Sequence, residues 1–318
     1  MTTANSIPIL RADDPRFAEQ FIEASREIGF IAVTGHGIAT SLFSEMRNML
    51  VRLFDVDESV KQEGAITGTN YRGFIPLGFF TPNRLEVNGQ QPDLYEGYKL
   101  HWECPEGDPE SPLYGPNRWA AHVPDMAEIV GRYWEACDAF ADSLLAVCAA
   151  ELGVPASEFR AWHERPLTNM TLLHYPAQPA MGDATGIHPH KDTNVLTFLH
   201  PDPVGGLEVQ TKAGEWIEVE APIDALVVNI GEMLELWSGG EFVATPHRVV
   251  NRSAQERYSF PYFIVPNHAI VVEPLVSCRQ GYVHHRMPVG ALSAEVWRTN
   301  WADERPSGED FDLGSLRS

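Results

Sequence analysis

Cysteine is scarce in this 318-residue chain: four in total, none spaced as CxxC. Cys104, Cys137, Cys148 and Cys278 therefore suggest neither a disulfide framework nor a thiolate zinc site, and they read as isolated buried thiols. Basic residues are also in short supply. Lys and Arg number 23 against 44 Asp and Glu, which leaves a net charge of −21. Such a field repels phosphate backbones and anionic lipid surfaces, so nucleic acid and membrane are not expected partners. No apolar run approaches the roughly 18 residues of a membrane helix. The opening MTTANSIPILRADD has no basic start followed by a long apolar stretch, so a cytoplasmic protein is expected. Internal repeats and low-complexity tracts are absent from the sequence as well.

What is present is enough apolar material for a sizeable core, at 44% hydrophobic and 10% aromatic residues, which excludes wholesale disorder. The length predicts one large domain with embellishments, or two. Asp13-Asp14-Pro15 predicts a helix start ahead of Phe17, Phe21 and Ile22, with Gly29 as its stop. FIAVTGHGI then reads as a strand, and Thr40 or Ser41 as the cap of a second helix. From Gly73 to Asn117, seven prolines among aromatics predict an irregular cover over a site. Pro124 to Leu152 reads as one long scaffold helix.

After about residue 167 the pattern turns extended. TLLHYP, NVLTFLH, GLEVQT, EWIEV, ALVVNIG, HRVVN and RYSFPYFIV are short β-rich segments between Gly, Pro and Asn clusters, which indicates an all-β sandwich, jelly roll or barrel.

Two His-x-Asp pairs occur in this region. His200-Pro201-Asp202 sits between prolines before Gly205-Gly206 and reads as a turn. His190-Lys191-Asp192 precedes the alternating Val195, Thr197, Leu199, and residues two apart on a strand face the same way. A third metal ligand must come from another strand, and His247, 57 residues after His190, is the best candidate. Two histidines and a carboxylate leave three positions open on an octahedral ion, which suits non-haem Fe(II) and dioxygen. Taken alone, His247 reads more readily as a capped or partly buried structural histidine than as a ligand. Ten residues further on, Arg257 and Ser259 again share a face. A guanidinium pointing into a barrel needs an anion, either an internal Glu or Asp or a dicarboxylate ligand.

HKDTNVLTFL, GGEFVATPHRVVN and RYSFPYF together resemble the isopenicillin N synthase-like family of Fe(II)- and mostly 2-oxoglutarate-dependent oxygenases. IPIL, REIGFIAVTGHGI, YRGF, PDLYEGY and GPNRWA extend the resemblance over nearly the whole chain. It implies a mainly β fold with flanking helices, a double-stranded β-helix (jelly roll) wrapped by N-terminal helices. The corresponding division is an N-terminal helical and strand region with an irregular cover over 1–120, a scaffold helix within 121–166, a catalytic β core over 167–301 and a polar tail over 302–318. The resemblance implies Fe(II) on His190, Asp192 and His247, with these as the catalytic residues, and the distal carboxylate of 2-oxoglutarate on Arg257 and Ser259. Tyr175 in LHYP matches a family tyrosine that helps hold that carboxylate. One departure stands out: many plant members have Asn two residues before that tyrosine, where this chain has Leu173.

The implied reaction consumes dioxygen and 2-oxoglutarate, releases succinate and carbon dioxide, and oxidises an unactivated C–H bond of a small biosynthetic intermediate by hydroxylation, desaturation or ring formation. Antibiotic or other secondary metabolism is the implied setting, with ascorbate as a candidate reductant. Tyr71, Arg72, Phe74, Tyr95, Tyr98 and Phe263 are the candidates to line the substrate pocket. The competing readings are a 2-oxoglutarate-independent oxidase of the same family, a dinuclear zinc hydrolase and a catalytically silent jelly-roll binding protein. For the hydrolase, His188-Pro189-His190-Lys191-Asp192 fits in part, but Thr193 stands where a histidine usually follows.

Overall fold

A computed structural model describes residues 6–67, 70–79, 93–107, 111, 113–178 and 185–299. The polar tail expected over 302–318 lies outside the described residues. The N-terminal half carries β1 (Ile9–Arg11), α1 (Phe17–Glu27), β2 (Phe30–Thr34), α2 (Thr40–Phe54), α3 (Glu58–Gln62), β3 (Gly73–Ile75), β4 (Glu96–His101), the long α4 (Met126–Glu151) and α5 (Ala156–Ala161). The second half carries β5 (Asn169–Tyr175), β6 (Thr185–His190), β7 (Leu196–Leu199), β8 (Leu207–Gln210), β9 (Trp216–Glu218), β10 (Leu226–Ile230) and α6 (Glu232–Trp237). It continues with β11 (His247–Val250), β12 (Arg257–Ser259), β13 (Tyr262–Ile264), β14 (Val271–Val272), β15 (Met287–Pro288) and α7 (Val289–Thr299).

Two sheets form a jelly-roll core. The larger runs β1-β2-β10-β7-β13-β5-β4-β3 with β12 also on β5, and the smaller runs β6-β11-β8-β9. Between them lies an apolar layer to which Phe30, Ala32, Leu173, Tyr175 and Val227 come from the large sheet and Leu207, Val209 and Val249 from the small one. The other face of the large sheet packs on the helices. Leu226, Val228 and Ile230 of β10 join Phe198, Phe140, Leu144 and Cys148 in the main core. Strand alternation thus sends Val227 and Asn229 inward and their neighbours outward. Each large apolar side chain so buried contributes roughly 1.5–3 kcal/mol.

The expected β segments are present, with corrections. RYSFPYFIV is two strands, because Pro261 has no N–H to give to a ladder: β12 pairs with β5 opposite Tyr175, and β13 bridges β5 and β7. Neither expected helix start is a side-chain cap. Asp14 instead accepts the Arg16 amide in a turn at 2.8 Å before α1, and Ala39 occupies the N-cap of α2. The stretch read as an irregular cover contains two strands, β3 and β4, which extend the large sheet. Among the described residues no helix is long and apolar enough to cross a membrane.

Candidate active site

His190 ends β6 and His247 begins β11, and the two are register partners, with ring centroids 4.3 Å apart. Asp192 follows β6 in the turn towards β7. Its Oδ1 lies 3.6 Å from Nε2 of His190 and 3.6 Å from Nε2 of His247. One donor atom from each residue falls within 4.8 Å of the other two, which is the spacing of a candidate metal site.

Each donor is aimed by a second contact. Nδ1 of His190 lies 2.8 Å from the His188 carbonyl, and Nδ1 of His247 3.1 Å from the Thr245 carbonyl. A carbonyl only accepts, so both rings carry a proton on Nδ1 and turn Nε2 inward. Asp192 Oδ2 accepts the Thr197 hydroxyl at 2.6 Å and the Asn229 amide at 2.8 Å, which leaves Oδ1 facing the histidines. Asn194 donates to Thr197 at 2.7 Å, and the chain is braced by Gly231, where a Cβ would lie 2.0 Å from Asn194 Oδ1.

Electrostatics agree with an anionic donor between two rings. Burial pushes the Asp192 carboxyl up, but His247, His190 and the Thr197 hydroxyl outweigh it and hold it well below the usual carboxylate range. Burial, reinforced by His190, takes His247 down to about 4, so its ring is neutral at neutral pH. His190 is buried too, but its contact with Asp192 raises it overall.

Further along the same interior, Arg257 and Ser259 on β12 stand opposite Tyr175 and Leu173 of β5. The Arg257 side chain is buried at 2% exposure, its guanidinium carbon 4.7 Å over the Tyr175 ring. Nε donates to the Gly205 carbonyl at 2.8 Å, and the buried Nη1 has no partner among the described residues. No carboxylate of those residues comes within ion-pair distance of it. An uncompensated buried cation is costly, so this donor set fits a carboxylate ligand. Tyr175 closes over the guanidinium because residue 186 is glycine: a Cβ there would lie 2.8 Å from the tyrosine ring.

A family model described as the 2OG-Fe(II) oxygenase superfamily matches residues 167–266, and one described as the N-terminal part of a non-haem dioxygenase in morphine synthesis matches residues 5–122. A homoarginine-6-hydroxylase of Glycine max is 30% identical over 303 residues, covering 86% of this chain and 89% of the relative. The chain belongs to the 2OG-Fe(II) oxygenase superfamily. A 2-oxoglutarate-Fe(II) type oxidoreductase of Emericella nidulans is 32% identical over 279 residues, covering 83% of this chain and 78% of that one. A full-length Neurospora crassa protein solved in complex with alpha-KG superposes with a TM-score of 0.81 at 22% identity over 95% of this chain and 98% of that one, a likeness of fold. JOX2 in complex with 2OG, Fe and JA gives a TM-score of 0.78 at 25% identity, covering 92% and 85%. The oxygenase is thus an oxidoreductase that works with Fe(II) and 2-oxoglutarate.

A cavity of about 260 Å³ opens beside Asp192, with Tyr71, Lys99, His101, Asn169, Asn194 and Phe263 among its walls. Of the six residues expected to line a substrate pocket, Tyr71 and Phe263 border this cavity. Tyr95 lies instead against Tyr175, ring centroids 6.0 Å apart. Arg72 does not reach the cavity; it is buried and donates to the Leu113 carbonyl at 2.6 Å. Phe74 and Tyr98 line a different cavity with Lys61 and Trp119, and the Tyr98 hydroxyl donates to the Arg118 carbonyl at 3.2 Å. The reason is alternation: Tyr98 and Lys99 are adjacent on β4, so the aromatic faces out and the lysine faces in.

Lys99, Asn169 and Asn229 carry no motif in the sequence, and Thr197 enters it only as one member of the alternating Val195, Thr197, Leu199; the same alternation applied to YKLH points to Lys99. His101 also lies on the cavity wall. His188 supports His190 through its carbonyl, while its ring meets Asp93 Oδ1 at 2.6 Å. The turn reading of His200-Pro201-Asp202 agrees with Asp202 accepting the Val204 amide at 2.9 Å.

Proposed function

We propose that this oxygenase hydroxylates an unactivated C–H bond of a small molecule, coupled to conversion of 2-oxoglutarate to succinate and carbon dioxide. His190, Asp192 and His247 would hold Fe(II) through Nε2, Oδ1 and Nε2. Bound iron and 2-oxoglutarate supply an oxidant strong enough for such a C–H bond. Everything else falls to the chain. Thr197 and Asn229 keep Oδ2 occupied so that Oδ1 points at the metal. Arg257 Nη1, Ser259 Oγ and the Tyr175 hydroxyl take the distal carboxylate. The apolar layer of Phe30, Leu173, Val209 and Val249 excludes water around the site. Phe263 and Tyr71 orient the substrate above it.

The observation that carries this reading is the partnerless, buried Nη1 of Arg257 in the same interior as the His-Asp-His cluster. The names of the relatives, a homoarginine hydroxylase and a 2-oxoglutarate-Fe(II) oxidoreductase, support the reaction type. The test is to incubate Fe(II)-loaded protein with 2-oxoglutarate in air and count succinate against oxygen consumed. Slow substrate-free turnover near one succinate per dioxygen is expected; oxygen uptake without succinate would contradict the reading.

A further inference from the structure

Two lysines line the cavity beside Asp192. Lys191 is paired with Glu235 at 3.3 Å. Lys99 is not paired: among the described residues no carboxylate comes within ion-pair distance of it, in a chain with 44 acids to 23 bases. Its ammonium donates to Asn169 Oδ1 at 2.6 Å and Thr171 Oγ1 at 2.9 Å, both neutral acceptors. An ammonium has three N–H groups, so one remains for the cavity. Nζ lies 5.4 Å from the centre of the Phe263 ring, which also lines the cavity. Burial pushes the ammonium down to about 7, against a smaller opposing pull from the Asp192 carboxylate.

Its place in the sheet ties this charge to the reaction site. Asn229 pairs with Thr197, Thr197 with Phe263, Phe263 with Asn169, and Lys99 with Thr171 two residues along from Asn169. One row across the inner face therefore runs from the supports of Asp192 to Lys99. The backbones of β7 and β4 are three strand spacings apart, roughly 14 Å, and the lysine reaches back over part of that. Arg257 and Lys99 both face this interior with no carboxylate of the described residues within ion-pair distance. The first is matched by the cosubstrate in the function proposed above, on which this inference rests.

We propose that Lys99 is a specificity residue that takes a carboxylate of the primary substrate, placing its acid end several bonds from the carbon that is oxidised. The same chemistry has one other source, the metal-side carboxylate of 2-oxoglutarate, because Leu173 offers that group no hydrogen bond.

The test uses full-length protein with Fe(II) and 2-oxoglutarate without oxygen, and matched probes: benzoate and benzamide, phenylacetate and phenylacetamide, hexanoate and hexanamide. Binding is read as a shift of the visible band of the iron–2-oxoglutarate chelate. At least one acid is expected to bind about 10- to 100-fold more tightly than its amide, the range for a charge-assisted hydrogen bond. Lys99→Met and Lys99→Gln should both erase that preference, Lys99→Arg should keep part of it, and the dissociation constant of 2-oxoglutarate should stay within about twofold in all three. If no acid outbinds its amide in the native protein, the proposal is overturned. A tenfold weaker 2-oxoglutarate in the Met and Gln variants overturns it too, by assigning Lys99 to the cosubstrate. Absence of the band in the native protein would instead mark failure of the underlying function.

Discussion

Replacing Asp192 with asparagine is expected to abolish 2-oxoglutarate-dependent turnover and to weaken Fe(II) binding by more than about 100-fold. The bound exceeds the 10- to 100-fold typical of losing an outer-shell partner, because here a donor atom itself is lost. Asparagine keeps the volume but removes the one anion between two imidazoles. Its amide must also face either the Thr197 and Asn229 donors, which need an acceptor, or the metal position, which needs one too. The two histidines alone leave a weaker, more open site. Metal content after anaerobic loading and desalting checks this, beside the melting temperature of the metal-free variant. A variant that retains stoichiometric iron and activity would remove Asp192 from the metal site.

Arg257→Ala is expected to raise the dissociation constant of 2-oxoglutarate by about 10- to 150-fold, the equivalent of a charged hydrogen bond worth roughly 1.5–3 kcal/mol. The free protein should lose less stability than an ordinary core truncation would cost. Arg257 is buried without a counter-ion, so its removal relieves a desolvated charge even as it leaves a gap beneath Tyr175 and deprives the Gly205 carbonyl of a donor. The ligand-free melting temperature should therefore fall by less than a cavity of that size implies. The stabilisation that 2-oxoglutarate confers on the iron-loaded native protein should disappear. Isothermal titration together with thermal unfolding measures both. Unchanged 2-oxoglutarate affinity would assign the guanidinium a purely structural role.

The core strands and the His-x-Asp…His and Arg-x-Ser patterns are legible in the sequence because they depend on two-residue alternation and on side chains whose chemistry is distinctive. The strand pair β3 and β4 is not legible, because the prolines and glycines around it suggest loop while its pairing partner, β5, lies some 70 residues away: Lys99 meets Thr171. Read as loop, the segment points to Tyr98 and Phe74, which pack into the helix-side core, rather than to Lys99. Thr197 and Asn229 were hidden for another reason. A threonine and an asparagine in apolar strands look like weak points of a core until the register shows both beneath one carboxylate. Arg72 shows the converse, since a charged residue beside a family motif is spent on the Leu113 carbonyl.

The most direct test is anaerobic titration of Fe(II)-loaded protein with 2-oxoglutarate, followed by the weak visible charge-transfer band of the chelate. A band that saturates at one equivalent of iron in the native protein, and is absent when His247 is replaced by alanine, is the predicted result. Iron binding with no band at any 2-oxoglutarate concentration would contradict the assignment of cluster and arginine to one cosubstrate site.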